Sequence, residues 1–168
     1  MNTTEYLDIF QKAADRLDKK KLNKKRLEFA VCLYKTSVCL KLYKEAWANP
    51  GTDALTAPTR IFFSVWINEE WPKEQKIRYN IHALKLRYLK GYTIASREFA
   101  ETFRSRFNAF AHEWPNVNVQ FGPLTLMEGW QNANEQTLQN EIVELSNRFL
   151  QIEHLIDENL ARFEKKIS

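Results

Sequence analysis

Three histidines (His82, His112 and His154) and two cysteines (Cys32 and Cys39) are the side chains of this 168-residue sequence best suited to hold a metal ion. A zinc site needs three or four ligands that converge, and its cysteines usually come in CxxC pairs. Here the histidines are scattered and the cysteines stand seven positions apart, so no metal and no cofactor is expected. Motifs for nucleophilic or nucleotide chemistry are absent too. There is no GxSxG elbow, and four glycines (Gly51, Gly91, Gly122 and Gly129) supply little material for a phosphate-cradling loop. An acid–base pair such as His82 with Glu128 leaves no trace in a sequence. The balance falls toward a non-catalytic role.

Cys32 and Cys39 lie in a stretch whose apolar spacing reads as helix. On a helix, seven residues at ~1.5 Å rise put the two Cα atoms roughly 10 Å apart, beyond disulfide reach. The expectation is two buried free thiols, which suits a reducing compartment and hence the cytoplasm.

Rings and cations carry the remaining chemistry. Trp66, Tyr79, Tyr92 and Trp130, with His82, Arg87 and Glu128 as polar partners, are candidates to line a pocket for a small apolar ligand. Core packing is the plainer use of the same rings. A second candidate is segment 73–106, where nine Lys/Arg face three Asp/Glu. Its Arg78, Lys85, Arg87 and Lys90 could neutralise phosphates while nearby tyrosines stack on bases. On a strand, however, alternate residues point to opposite faces, which sends rings to the core and cations to water. The net charge of the chain is +4, and from Glu128 onward eight acids outnumber four bases, offering those cations an internal partner.

Positioning these residues requires an α+β fold: a small, mostly antiparallel sheet covered by helices, in the order α-α-β-β-α-β-β-α. Residues 1–168 read as one domain. Its N-terminal helical pair (1–48) has a first helix over about 4–18, with Asn2 and Glu5 as a capping pair, then a basic hinge, Lys19–Arg26, and a second helix over 24–48. A sheet-containing middle (60–130) opens with a β-branched and aromatic strand from Arg60 to Asn68. A second strand follows through Ile77, Tyr79 and Ile81, with a bulge near His82–Ala83 and a helix over 82–90 as the competing reading. A helix from Ser96 presents Phe99, Phe103, Phe107, Phe110 and Trp114 along one row, and two short strands fit 117–121 and 124–127.

The last helix, 134–167, carries apolar residues at steps of three and four as far as Ile167. Leu145, Phe149, Ile152, Ile156 and Phe163 form its seam, and a long seam of this kind suits a homodimer. The N-terminus lacks a basic stretch followed by an apolar one, and no apolar run nears the ~20 residues of a membrane span, so no membrane partner is expected. The sequence reads best as a non-catalytic dimeric interaction or small-ligand-binding module. Nucleic-acid binding by 73–106 is the alternative.

Overall fold

Asn2 accepts a hydrogen bond from the Glu5 backbone N–H and starts the first helix, α1 (Thr3–Asp15), at the expected cap. The structure is a computed structural model describing residues 2–166; Ile167, the last residue of the expected seam row, lies outside them. Asp18 caps a short helix, α2 (Lys19–Lys24), by accepting from the N–H groups of Lys20 and Lys21. Most of the basic stretch expected to be a hinge is therefore helical.

The helix expected over 24–48 is instead a β-hairpin of β1 (Glu28–Tyr34) and β2 (Ser37–Tyr43). Leu27, Val31, Tyr34 and Val38 do fit a helical row, but Val38, Leu40 and Leu42 fit a period of two as well. Here the β-branched and aromatic content wins. Lys35, with φ 54°, turns the hairpin. Pairing sets Cys32 opposite Cys39, their Cα atoms 5.2 Å apart and their sulfurs bonded. The two cysteines form a cross-strand disulfide. Free thiols were the ground for expecting a cytoplasmic location, and that ground is removed.

Next come β3 (Arg60–Ile67), a single helical turn α3 (Trp71–Glu74), β4 (Lys76–Leu84), α4 (Ser96–Phe107) and β5 (Thr125–Asn132). All five strands join one antiparallel sheet in the order β1-β2-β3-β4-β5. Its register shifts between Ile81 and His82, at the expected bulge. The strand stops at Leu84, and Leu86–Tyr88 forms a 3-10 turn rather than a strand or helix running to Lys90. Of the two short strands expected over 117–127, the first is a bridge from Asn118 to Glu128 and the second is the start of β5.

The C-terminal helical region runs as α5 (Leu138–Phe149) and α6 (Glu153–Ala161). They part at residues 150–152, so the single helix expected over 134–167 is two. The break lets α6 meet the start of the sheet region: Lys44 pairs with Glu153 at 2.7 Å and Asp157 at 2.5 Å, and the Trp47 indole donates to Asp157 at 2.8 Å. Burial alone would lower the Lys44 pKa, but its bonds to Asp157 and Glu153 outweigh burial and hold it above the ordinary lysine value. The class is α+β, with helices packed on one face of a small antiparallel sheet.

Rings build the core on that face. Phe63 stacks flat on Phe149 with centroids 4.5 Å apart, and Tyr79 tilts against Trp114 at 5.0 Å. The Tyr79 hydroxyl donates to the Pro115 carbonyl at 2.5 Å. A Cβ at residue 129 would sit 2.2 Å from that hydroxyl, which is why Gly129 faces it. Leu145, Phe149, Ile152 and Ile156 are all buried in this core, and Phe163 packs on Phe99 with centroids 5.7 Å apart. Four of the five residues of the expected seam are thus packed inside their own chain, and Phe163 is half-buried.

Candidate functional site

Helices cover one face of the sheet, and the strands fix what the other face carries. In β3, Ile61, Phe63, Val65 and Ile67 point into the core, so Arg60, Phe62, Ser64 and Trp66 point out. Register extends this alternation across the sheet. Lys41, Ser64, Asn80 and Glu128 make one row over four strands, and Cys39, Trp66, Arg78 and Trp130 make the next. On the other side of the first row, Phe62, His82 and Thr125 form a third. Small residues at the centre (Cys39, Ser64 and Thr125) and larger ones around them leave an open groove of about 530 Å³.

Its floor is a short polar chain. Ser64 donates to Asn80 Oδ1 at 2.6 Å, and Asn80 donates to Glu128 at 3.3 Å. One end is cationic: the Lys41 ammonium lies 4.5 Å and the Arg60 guanidinium 5.0 Å from the centre of the Phe62 ring, with the His82 ring 5.4 Å from the same centre. Neither Lys41 nor Arg60 forms an ion pair among the described residues. Arg60 Nε and Trp66 Nε1 are buried N–H groups with no acceptor among those residues. Such donors cost free energy until something accepts from them.

Burial, with the Arg60 charge adding to it, pushes the Lys41 pKa below the ordinary lysine value. Burial likewise holds His82 below the usual histidine value; Lys41 and Arg60 reinforce it, while the Leu124 carbonyl and Glu128 oppose it. His82 Nδ1 lies 3.2 Å from the Leu124 carbonyl oxygen, which can only accept. The Thr125 hydroxyl, able to donate or accept, lies 3.2 Å from the same nitrogen; the carbonyl favours the neutral tautomer with its proton on Nδ1.

Of the ligand-site residues expected from sequence, Trp66, His82 and Glu128 line this groove. Trp130 lies on the same face outside it, with the Lys76 ammonium 4.2 Å above its ring. Tyr79 is on the core face. Arg87 is exposed and stacks on Tyr88, and Tyr92 bridges to Glu164 away from the groove. The four cations expected to bind nucleic acid do not form one surface. Arg78 lies on the open face, bonded to Glu74 at 2.7 Å, whereas Lys85 and Arg87 border a separate depression with Ile94 and Ser96, and Lys90 is exposed beyond the 3-10 turn.

Sequence reasoning missed Lys41 and Arg60. Arg60 and Phe62 were legible from the alternation of β3, which fixes which residues face away from the core. Lys41 was hidden because its segment read as helix. Among the described residues no three His, Cys, Asp or Glu side chains gather as metal ligands, and no helix is long and apolar enough to cross a membrane. Comparison of the chain with protein-family models, with curated proteins and with solved structures finds no match.

Proposed function

We propose that this chain is a binding module whose open sheet face takes a small anion with a planar, apolar body. One observation carries the reading: Lys41, Arg60 and His82 converge on the Phe62 ring without a carboxylate paired to the two cations. Cations held together on a half-buried surface repel one another, and an anion relieves that repulsion. The Arg60 and Trp66 donors ask for acceptors, and the partly exposed Trp66 offers a ring face to a flat molecule, while Phe62 lies buried beneath the cations. Glu128, bonded to Asn80 through one oxygen, presents an acceptor for an amine or hydroxyl on the same ligand.

Adenosine monophosphate joins an anion to a flat ring and serves as the probe. Calorimetry should give saturable binding with Kd under about 1 mM. Adenosine and inorganic phosphate, each holding half of the chemistry, should bind at least tenfold more weakly by order of magnitude. Lys41→Ala and Arg60→Ala should each weaken adenosine monophosphate by about tenfold, the value of one charge-assisted contact. Absence of saturation, or equal binding by the two variants and the parent protein, would remove the groove as the site.

A further inference from the structure

The pattern of rings on the open face extends beyond the groove. Four rings there carry a cation: Lys35 lies 5.6 Å from the Tyr34 ring centre, Lys41 and Arg60 lie 4.5 and 5.0 Å from that of Phe62, Arg78 lies 5.8 Å from that of Trp66, and Lys76 lies 4.2 Å from that of Trp130. Core-face rings mostly meet other rings instead, as Phe63 meets Phe149 and Tyr79 meets Trp114.

Strand geometry sets the spacing. Trp66 and Trp130 share a row two strands apart, about 10 Å, with Arg78 between them. Phe62 is four residues along β3 from Trp66, about 13 Å. A single small molecule does not reach all three rings. A chain of repeating units, each with a flat ring and a negative charge, does. Charge on this face favours it as well: five cations stand against Glu28, Glu74 and Glu128, with Asp53 near Arg60; Arg78 and Glu74 neutralise each other, and Glu128 is bonded to Asn80. Tyr34 at the hairpin end is 65% exposed, and Trp66 and Trp130 are partly exposed, so ring faces are open to stacking.

We propose that the open face binds single-stranded nucleic acid, its bases stacking on Phe62, Trp66 and Trp130 while Lys41, Arg60, Lys76 and Arg78 move from ring to phosphate. Stacking on rings tolerates any base, and the cations hold the backbone, which together make a binder with little sequence preference. A duplex hides its base faces, so only its phosphates could engage. This inference rests on the groove reading above and extends it along the sheet.

The test is fluorescence anisotropy with an end-labelled oligoadenylate of about a dozen nucleotides, as RNA and as DNA, against adenosine monophosphate and a duplex of equal length. At least one single strand should bind roughly 30-fold or more tighter than adenosine monophosphate, and also tighter than the duplex. Its log K should fall with log salt at a slope of about −3, from four phosphate contacts at about −0.7 each. Trp130→Ala should weaken the single strand by about tenfold. Lys76→Gln, a change at a partly exposed site, should flatten the slope by about 0.7 and keeps the test valid if the tryptophan variant unfolds. Oligoadenylate binding no tighter than the mononucleotide overturns this inference and leaves the groove reading standing. So does a duplex that binds as well as the single strand. Failure of both mononucleotide and oligonucleotide overturns the groove reading, and this inference with it.

Discussion

Phe62 and Phe63 are neighbours in β3, and their surroundings have almost nothing in common. Phe63 lies flat on Phe149 in a core closed by α1, α4 and α5, while Phe62 lies beneath Lys41 and Arg60 with His82 at its side. One face of the sheet uses its rings to exclude water, and the other uses them to hold charge. A strand presents successive residues to opposite sides, so a single segment writes both surfaces at once. Stability should therefore be concentrated on one face and binding on the other.

Phe63→Ala should produce the largest effect, a loss of about 3–5 kcal/mol by urea denaturation, because a buried ring leaves a cavity. Phe62 is buried too but lies under cations rather than against other rings, so Phe62→Ala should cost less, about 2 kcal/mol, and abolish measurable binding of adenosine monophosphate. Equal destabilisation by the two variants would break the comparison, since both rings would then be core.

Lys44 sharpens it from the other direction, because it is a buried cation that does have carboxylates. Lys44→Met leaves the buried Glu153 with only the more distant Lys25 ammonium, 3.3 Å away, and should cost about 2 kcal/mol. The pH dependence follows from its raised pKa. The folded state holds this proton more tightly than the unfolded chain, so the contribution is complete below about pH 10.4 and is lost as pH rises through the folded value. Denaturation midpoints of the parent protein should fall over that alkaline range, and those of Lys44→Met should fall less. Lys41, on the open face, has no such partner, and Lys41→Met should leave stability within about 0.5 kcal/mol of the parent.

Much of this architecture was legible in the sequence. β3, the bulge in β4, the Asn2 cap and the inward phenylalanines of α4 all follow from period and composition. The hairpin of β1 and β2 did not, because its apolar residues satisfy periods of two and of three to four together, and only pairing with β3 decides between them. That one ambiguity concealed both the disulfide and Lys41. Trp66, His82 and Glu128 were recognisable by type, but their meeting depends on register across β3, β4 and β5, which no local pattern encodes. Tyr79 was drawn in by its ring alone; parity puts it on the opposite face from its neighbours Arg78 and Asn80.

Reduction of Cys32–Cys39 should come next in size. Opening a loop of this length frees unfolded-chain entropy worth about 2–3 kcal/mol, so a reducing agent should lower the melting temperature by several degrees. Because Cys39 lines the groove, adenosine monophosphate binding should weaken in the same samples. A melt indifferent to reductant would show that the hairpin is held by pairing alone.

The smallest expected effect is on His82. Its folded pKa lies below the ordinary value, so the proton is disfavoured in the folded state; the resulting stability is present above about pH 6.5 and is lost as pH falls through the folded value. A bound anion favours the imidazolium and raises that pKa. Binding of adenosine monophosphate should thus tighten severalfold as pH falls from about 7.5 to about 6, and His82→Ala should remove the trend.

The five tryptophans give the most direct reading of the two faces, since each indole N–H has its own signal in a nitrogen–proton correlation spectrum. Trp47 donates to Asp157, Trp71 donates to Tyr6 and Glu135, and Trp114 packs among Phe63, Tyr79 and Phe107, all on the core side. Trp66 and Trp130 lie on the open face, and the Trp66 indole has no acceptor among the described residues. Titration with adenosine monophosphate should move the Trp66 signal downfield as its N–H gains an acceptor, while Trp47, Trp71 and Trp114 stay in place. An unmoved Trp66 signal at saturation, or shifts confined to the three core indoles, would contradict the assignment of binding to the open face.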